Sequence, residues 1–138
     1  MIQNLTKKHT GFTLVELLVV IAIIGLLSTI VIVSFGTVRT QAADTAIKAN
    51  MSQMRLAAEM AYSANGTYVG ANNRTDYIAA NTAINAAGGA NYAANFNASA
   101  YCISYTLKGG GQWCIDSGGN IGNASASDTC IPANLRCE

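Results

Sequence analysis

Gly11-Phe12-Thr13-Leu14-Val15-Glu16, followed at once by an apolar run, decides the fold of this 138-residue chain. From Leu17 to Val38 there are 22 residues without a charge, and just upstream only Glu16 interrupts the stretch. A bilayer core of about 30 Å takes about 20 apolar residues of helix, so the segment is long enough to span it. A carboxylate near mid-membrane costs roughly 2.5–3.5 kcal/mol on insertion scales, and such a residue is functional by default. Glu16 therefore needs a partner. A secretory signal has an apolar stretch of only ~7–15 residues before its cleavage site, and the acid at the head of this longer run argues against one. A plain single-span anchor has the same hydropathy as this segment. In either case Lys7, Lys8 and His9 stay on the cytoplasmic side by the positive-inside rule.

Gly11 followed by Phe-Thr-Leu-Val-Glu, with Lys7 and Lys8 upstream, resembles the leader-peptidase site of bacterial type IV pilins and type II secretion pseudopilins. The resemblance implies that a leader, Met1–Gly11, is cut on the cytoplasmic side and that Phe12 becomes the N-methylated N-terminus. Glu16 is then the fifth residue of the mature chain, where the family meets the charged N-terminus of a neighbouring subunit. Also implied are a leader peptidase/methyltransferase and an assembly machinery with a cytoplasmic ATPase. The subunit would wait in the cytoplasmic membrane as a single-pass protein and end in an extracellular, homo-oligomeric helical filament. One departure stands out: many type IV pilins carry a proline about twenty residues after the cleavage site, where this chain has Val33, and its sole proline is Pro132. Gly25 and Gly36 soften the helix instead, each by up to ~1 kcal/mol relative to Ala. The missing proline favours a pseudopilin-like or divergent pilin.

Physics supports the pairing independently. An α-amine, with a reference pKa of about 7.7–8.0, is mostly cationic at neutral pH. A cation and a carboxylate held close in a low-dielectric surround attract strongly, and either alone is penalised. Within one chain Glu16 lies in the first helical turn, where its charge complements the helix dipole.

After the apolar run the chain continues from Arg39 to Ala64 without Pro or Gly. Ile47, Met51, Met54, Ala58 and Ala61 recur at spacings of four and three, one amphipathic stripe that predicts packing on a sheet. Lys48, Arg55 and Glu59 fall off it. Asn65-Gly66 marks the helix end. Helix from Thr13 to Ala64 would be roughly 78 Å long at 1.5 Å per residue. The organisation expected is a leader (1–11), a hydrophobic transmembrane and assembly helix (12–38) and a globular head (39–138). The head divides into an amphipathic helix (39–64), a variable loop (67–99) with a short helix over Asp76–Ala87, and a β-sheet with C-terminal loop (100–138). The fold class is α+β, pilin-like: a long N-terminal helix packed on a small antiparallel sheet with a disulfide-bonded C-terminal region.

Ala100–Leu107 and Gln112–Ser117 are β-branched and aromatic, and Lys108-Gly109-Gly110-Gly111 between them supplies a hairpin loop. Asn120-Ile121 edges a third short strand. A sheet against the helix would bury Ile103, Tyr105, Leu107, Trp113 and Ile115. Four cysteines, Cys102, Cys114, Cys130 and Cys137, beside a translocated domain read as two disulfides. Four allow three connectivities; the expected one is Cys102–Cys114 across the hairpin and Cys130–Cys137 closing a C-terminal loop. No CxxC pair occurs and the single histidine lies in the leader, so no metal site is predicted. Asp116-Ser-Gly-Gly-Asn120 offers oxygen ligands but lacks a calcium-loop spacing and reads as a turn.

Composition narrows the function further. The charged fraction, 11%, is low beside the ~25% typical of soluble domains, and Ala, Asn and Gly are plentiful. Loss of Lys7 and Lys8 with the leader leaves six basic against seven acidic residues, so nothing points to a polyanion partner. Lys108 and Arg136 are isolated charges, not a basic-aromatic surface for nucleic acid. The five Asn-x-Ser/Thr triplets that follow the leader, at Asn50, Asn65, Asn73, Asn97 and Asn123, are expected by chance in such a composition. No nucleophile–base pair is present, and Asp116 and Asp128 form no recognisable acid–base couple, so no enzyme and no cofactor are predicted.

Overall fold

The computed structural model describes residues 11–124, 130 and 135–137, and of residues 31–34 the backbone alone. Lys7, Lys8 and His9 of the leader, Asp128 and Pro132 lie outside the described residues. The chain divides into two compact units, residues 1–37 and 38–138, and helix α1 (Leu14–Asn65) belongs to both. Its bounds fall one residue from the expected ends, within the usual ambiguity of helix termini.

In the first unit α1 is the only described helix long and apolar enough to cross a membrane. Its described side chains from Leu14 to Ile30 are all exposed, which for so apolar a surface in water is untenable and in lipid is natural. Two hydroxyls inside it are satisfied locally: Ser28 Oγ donates to Ile24 O at 2.7 Å and Thr29 Oγ1 to Leu26 O at 2.8 Å. Such back-bonding lets Ser and Thr sit in hydrocarbon without an orphaned donor.

The second unit is built on the remaining turns of α1. The stripe residues Ile47, Met51, Met54 and Ala58 are wholly buried, Ala61 nearly so, and Ala57 joins them. After Gly66, whose φ of +69° ends the helix in the left-handed region, come a 3-10 turn (Ala71–Asn73) and helix α2 (Thr75–Ala87). Tyr77, Ala80 and Ile84 of α2 enter the same core. Four antiparallel strands follow in simple meander order: β1 (Ala90–Phe96), β2 (Tyr101–Thr106), β3 (Gln112–Asp116) and β4 (Ile121–Ala124). Within the expected loop over 67–99, α2 stands where a short helix over Asp76–Ala87 was expected, and the strand β1 is an addition. β1 is made mostly of Ala and Asn, residues of low strand propensity, and it exists by pairing with β2 rather than by its own preference. A register irregularity between Ala90 and Ala93 accompanies Asn91, which has a positive φ of 49°.

Strand alternation assigns the two faces. Tyr101, Ile103, Tyr105 and Ile115 join the core formed with α1, and Trp113 is partly buried against it. Lys48 reaches over Trp113, its Nζ 4.1 Å from the ring centroid, which ties α1 to β3. The loop before β3 is clamped as well. Gly109 N donates to Asp44 Oδ1 at 3.1 Å, and a Cβ on Gly109 would come within 2.6 Å of Asp44 Oδ2. A side chain at this position would push the Asp44 carboxylate aside. Aromatic rings line the sheet's inner side: Tyr68 on Tyr101 at 4.9 Å, Phe96 on Tyr101 at 6.0 Å and Tyr77 on Phe96 at 5.8 Å.

The opposite face carries Cys102, Ser104, Cys114 and Asp116, all buried. The disulfides explain why. Cys102 is bonded to Cys130 and Cys114 to Cys137, with Cα–Cα separations of 5.4 and 5.7 Å. The expected pairing of Cys102 with Cys114 and Cys130 with Cys137 is therefore wrong. The register opposes Cys102 to Asp116 and Ser104 to Cys114, which makes the two cysteines diagonal neighbours. Diagonal pairs lie about 7–8 Å apart at Cα, beyond the ~4.4–6.8 Å that a disulfide spans. Each strand cysteine instead holds one point of the C-terminal segment, and Leu135 packs among them.

Candidate functional site

The residues singled out at the N-terminal end are consecutive in the structure. Gly11, Phe12 and Thr13 precede the first helical residue, and Phe12 is 82% exposed. The Gly11–Phe12 bond thus lies in non-helical, accessible backbone, the form a peptidase can bind. Thr13 is the N-cap: Leu17 N donates to Thr13 O at 3.3 Å, the first turn of α1.

Glu16 completes a reciprocal cap with Thr13. Its Oε2 accepts from Thr13 N at 2.9 Å and from Thr13 Oγ1 at 2.8 Å, while Glu16 N donates to Thr13 Oγ1 at 3.3 Å. This is a capping box, in which an N-cap hydroxyl and a glutamate three residues on satisfy each other's end of the helix. The carboxylate also faces the positive end of the helix dipole. Glu16 therefore has a partner within its own chain, a role that the sequence reading gave only to the neighbour's amine. The Thr-x-x-Glu spacing was the available signal. Both contacts that the carboxylate accepts use Oε2.

Residues 6–32 match the prokaryotic N-terminal methylation motif. The chain carries the class III leader of type IV pilins and pseudopilins. No curated protein and no solved structure matches the chain. The methylation motif implies processing by a prepilin peptidase and assembly in a pilus or secretion system, and it fits membrane anchoring through α1 before assembly. It covers the start of α1 and none of the head.

In the head, polar groups organise structure. Asp116 is fully buried and receives Asn120 N at 2.9 Å, Asn120 Nδ2 at 2.8 Å and Cys137 N at 2.9 Å. Burial alone would raise its carboxyl, but the hydrogen bonds from Cys137, Asn120 and Gly118 outweigh it and hold the pKa below the usual carboxylate value. The Asp116–Asn120 segment is a turn whose carboxylate faces N–H donors, the wrong environment for calcium. Glu59, off the stripe, accepts from Tyr68 OH at 3.0 Å and Tyr101 OH at 3.2 Å. Burial and then the bond to Glu59 push the Tyr68 hydroxyl up to about 12, so it stays a proton donor. Lys108 lays its stem beside Gly88 at the end of α2, and Arg136 is exposed.

Proposed function

We propose that this chain is the structural subunit of a type IV pilus filament. In this reading it is held in the cytoplasmic membrane by α1, N-terminus inward, with its head translocated. Leader cleavage between Gly11 and Phe12 and methylation of Phe12 precede assembly. The subunit performs no catalysis; a peptidase and a cytoplasmic ATPase supply processing and energy. The observation that carries the reading is the single carboxylate, Glu16, inside a methylation motif and at the head of the uncharged apolar run Leu17–Val38.

Before assembly Thr13 satisfies Glu16 within the chain. On entry into a growing fibre, the ammonium at Phe12 of an adjoining subunit offers Glu16 a full opposite charge. In a low-dielectric core that exchange favours the assembled register strongly. Lipid-exposed side chains of α1 would then pack on one another at the fibre axis, with the disulfide-bonded heads outside.

A second reading within the same fold is a pseudopilin of a type II secretion or competence apparatus. It is favoured by the absence of proline from α1, where Val33 stands at the position many pilins give to proline. Electron microscopy of sheared surface fibres separates the two. Long fibres containing the wild-type chain, and none from Glu16→Ala although the variant still inserts in the membrane, are expected for a pilus subunit. Abundant normal fibres from Glu16→Ala would refute the assembly role, and fibres confined to secretion overexpression would favour the pseudopilin.

A further inference from the structure

We propose that the end of the head next to the apolar run is a docking surface for anionic lipid headgroups, those of the bilayer that holds α1. Such a surface requires the membrane anchoring proposed above and gives the head a task there. Arg39, exposed, follows Val38, the last residue of the uncharged run. The β2–β3 loop is brought to the same turns of α1 by Gly109. Its N–H donates to Asp44 Oδ1 at 3.1 Å, and a Cβ built on it would lie 3.1 Å from Thr40 Cγ2. Lys108, exposed at the start of that loop, therefore stands beside the stretch of α1 that Arg39 opens. One turn beyond Asp44, Lys48 lies over Trp113. Three cations remote in sequence thus gather with one anion, Asp44, whose carboxylate already faces the Gly109 N–H. Elsewhere in the head the charges of the described residues balance: Arg55, Arg74 and Arg136 stand against Glu59, Asp76 and Asp116, with Arg74 and Asp76 paired at 2.9 Å. The near-neutral total conceals a polarised distribution.

Depth puts this end at the lipid surface. Thr40 and Asp44 follow Val38 in unbroken helix, about 3 and 9 Å along the axis at 1.5 Å per residue. A bilayer of about 40–45 Å with a core of about 30 Å leaves about 5–8 Å of headgroups on each side. With the apolar run ending at the edge of the core, Arg39 and the β2–β3 loop fall in the headgroup layer or at its rim. Arginine and lysine suit that layer, because their stems tolerate apolar surroundings while the charge reaches the phosphates. Lys108 lays its stem beside Gly88, and the residue stays exposed. Each cation beside an anionic surface strengthens attachment roughly fivefold. The attraction fades over a Debye length of about 8 Å at physiological salt, so the charges at the far end of the head contribute little. Because α1 already anchors the chain, the patch serves to orient the head on the lipid surface.

The test uses the full chain in lipid nanodiscs, of phosphatidylcholine alone or of equal parts phosphatidylcholine and phosphatidylglycerol. A trace of lipid with a nitroxide on its headgroup broadens the amide signals of residues near the surface. Lys108–Gly111 should broaden more in the anionic discs than in the neutral ones, while Gly118 and Gly119, in the turn at the far end of the sheet, should not differ. The excess should vanish in about 1 M salt, where the Debye length is about 3 Å. Arg39→Gln combined with Lys108→Gln should lose the excess, and Arg136→Gln, an exposed cation beside Cys137, should keep it. Resistance to carbonate extraction from vesicles of the same lipids reports insertion separately. A chain that inserts yet broadens equally in both discs, as it would if the patch served an acidic protein, overturns the docking surface alone. So does an excess that survives salt or the double substitution. A chain extracted by carbonate from both lipids overturns the membrane reading, and the docking surface falls with it.

Discussion

At the scale of single residues, Thr13 and Glu16 set the state of the helix end. Thr13→Ala removes the N-cap hydroxyl and should weaken the first turn by about 1 kcal/mol. Amide exchange of the chain in micelles should show faster exchange at Leu14–Leu17 and no change in the head. Asp116 sets a second local state. Asp116→Asn exchanges a buried charged acceptor for a neutral one, opposite the N–H groups of Asn120 and Cys137. The expected loss is about 1–3 kcal/mol near neutral pH. Its sign with pH follows from the lowered pKa in the folded state. The stabilisation is fully present above the unfolded carboxyl value, about 3.9, and is lost as pH falls through the lower folded value. Urea unfolding at pH 7, 5 and 3 should therefore show a wild-type advantage over Asp116→Asn at the first two and a shrinking one at the third. Glu16 is conspicuous in the sequence because it breaks an uncharged run. Asp116 is not, because its burial comes from a C-terminal segment that only the disulfides bring across the sheet.

At the scale of elements, α1 packs through one narrow stripe of small and flexible side chains on tyrosines and isoleucines of the sheet. Met51 is wholly buried in that stripe, and Met51→Ala should cost about 2–5 kcal/mol, seen as a lower thermal midpoint of the head. The stripe is readable in advance because helical spacing and apolarity coincide in it. β1 is not readable: Ala90-Asn-Tyr-Ala-Ala-Asn-Phe96 has neither alternation nor strong strand formers, and only β2 makes it a strand. The cysteine pairing fails for a related reason. Two cysteines facing each other across a glycine-rich loop suggest a hairpin disulfide, yet the register is displaced by two residues, from Cys114 to Asp116. Digestion of the unreduced, denatured chain with trypsin and an Asp-specific protease checks this. The peptide holding Cys102 should be linked to that holding Cys130, and Cys114 to Cys137; a Cys102–Cys114 link would contradict the structure.

At the scale of the whole molecule, the two units divide the work. The first offers an exposed apolar helix with one carboxylate at its head, suited to lipid and, in the proposed assembly, to other copies. The second is a thin α/β layer, stapled at its C-terminal end by two disulfides worth about 2–4 kcal/mol each. The methylation motif over residues 6–32 supports a pilin-like or pseudopilin reading. In the proposed assembly processing comes first, because only cleavage would create the cation that Glu16 would exchange for Thr13. The most direct measurement is the intact mass of the chain recovered from sheared surface fibres. The account predicts a polypeptide beginning at Phe12, lacking residues 1–11 and heavier by one methyl group at its new N-terminus. A chain that still carries those eleven residues, found solitary in the membrane, would contradict it.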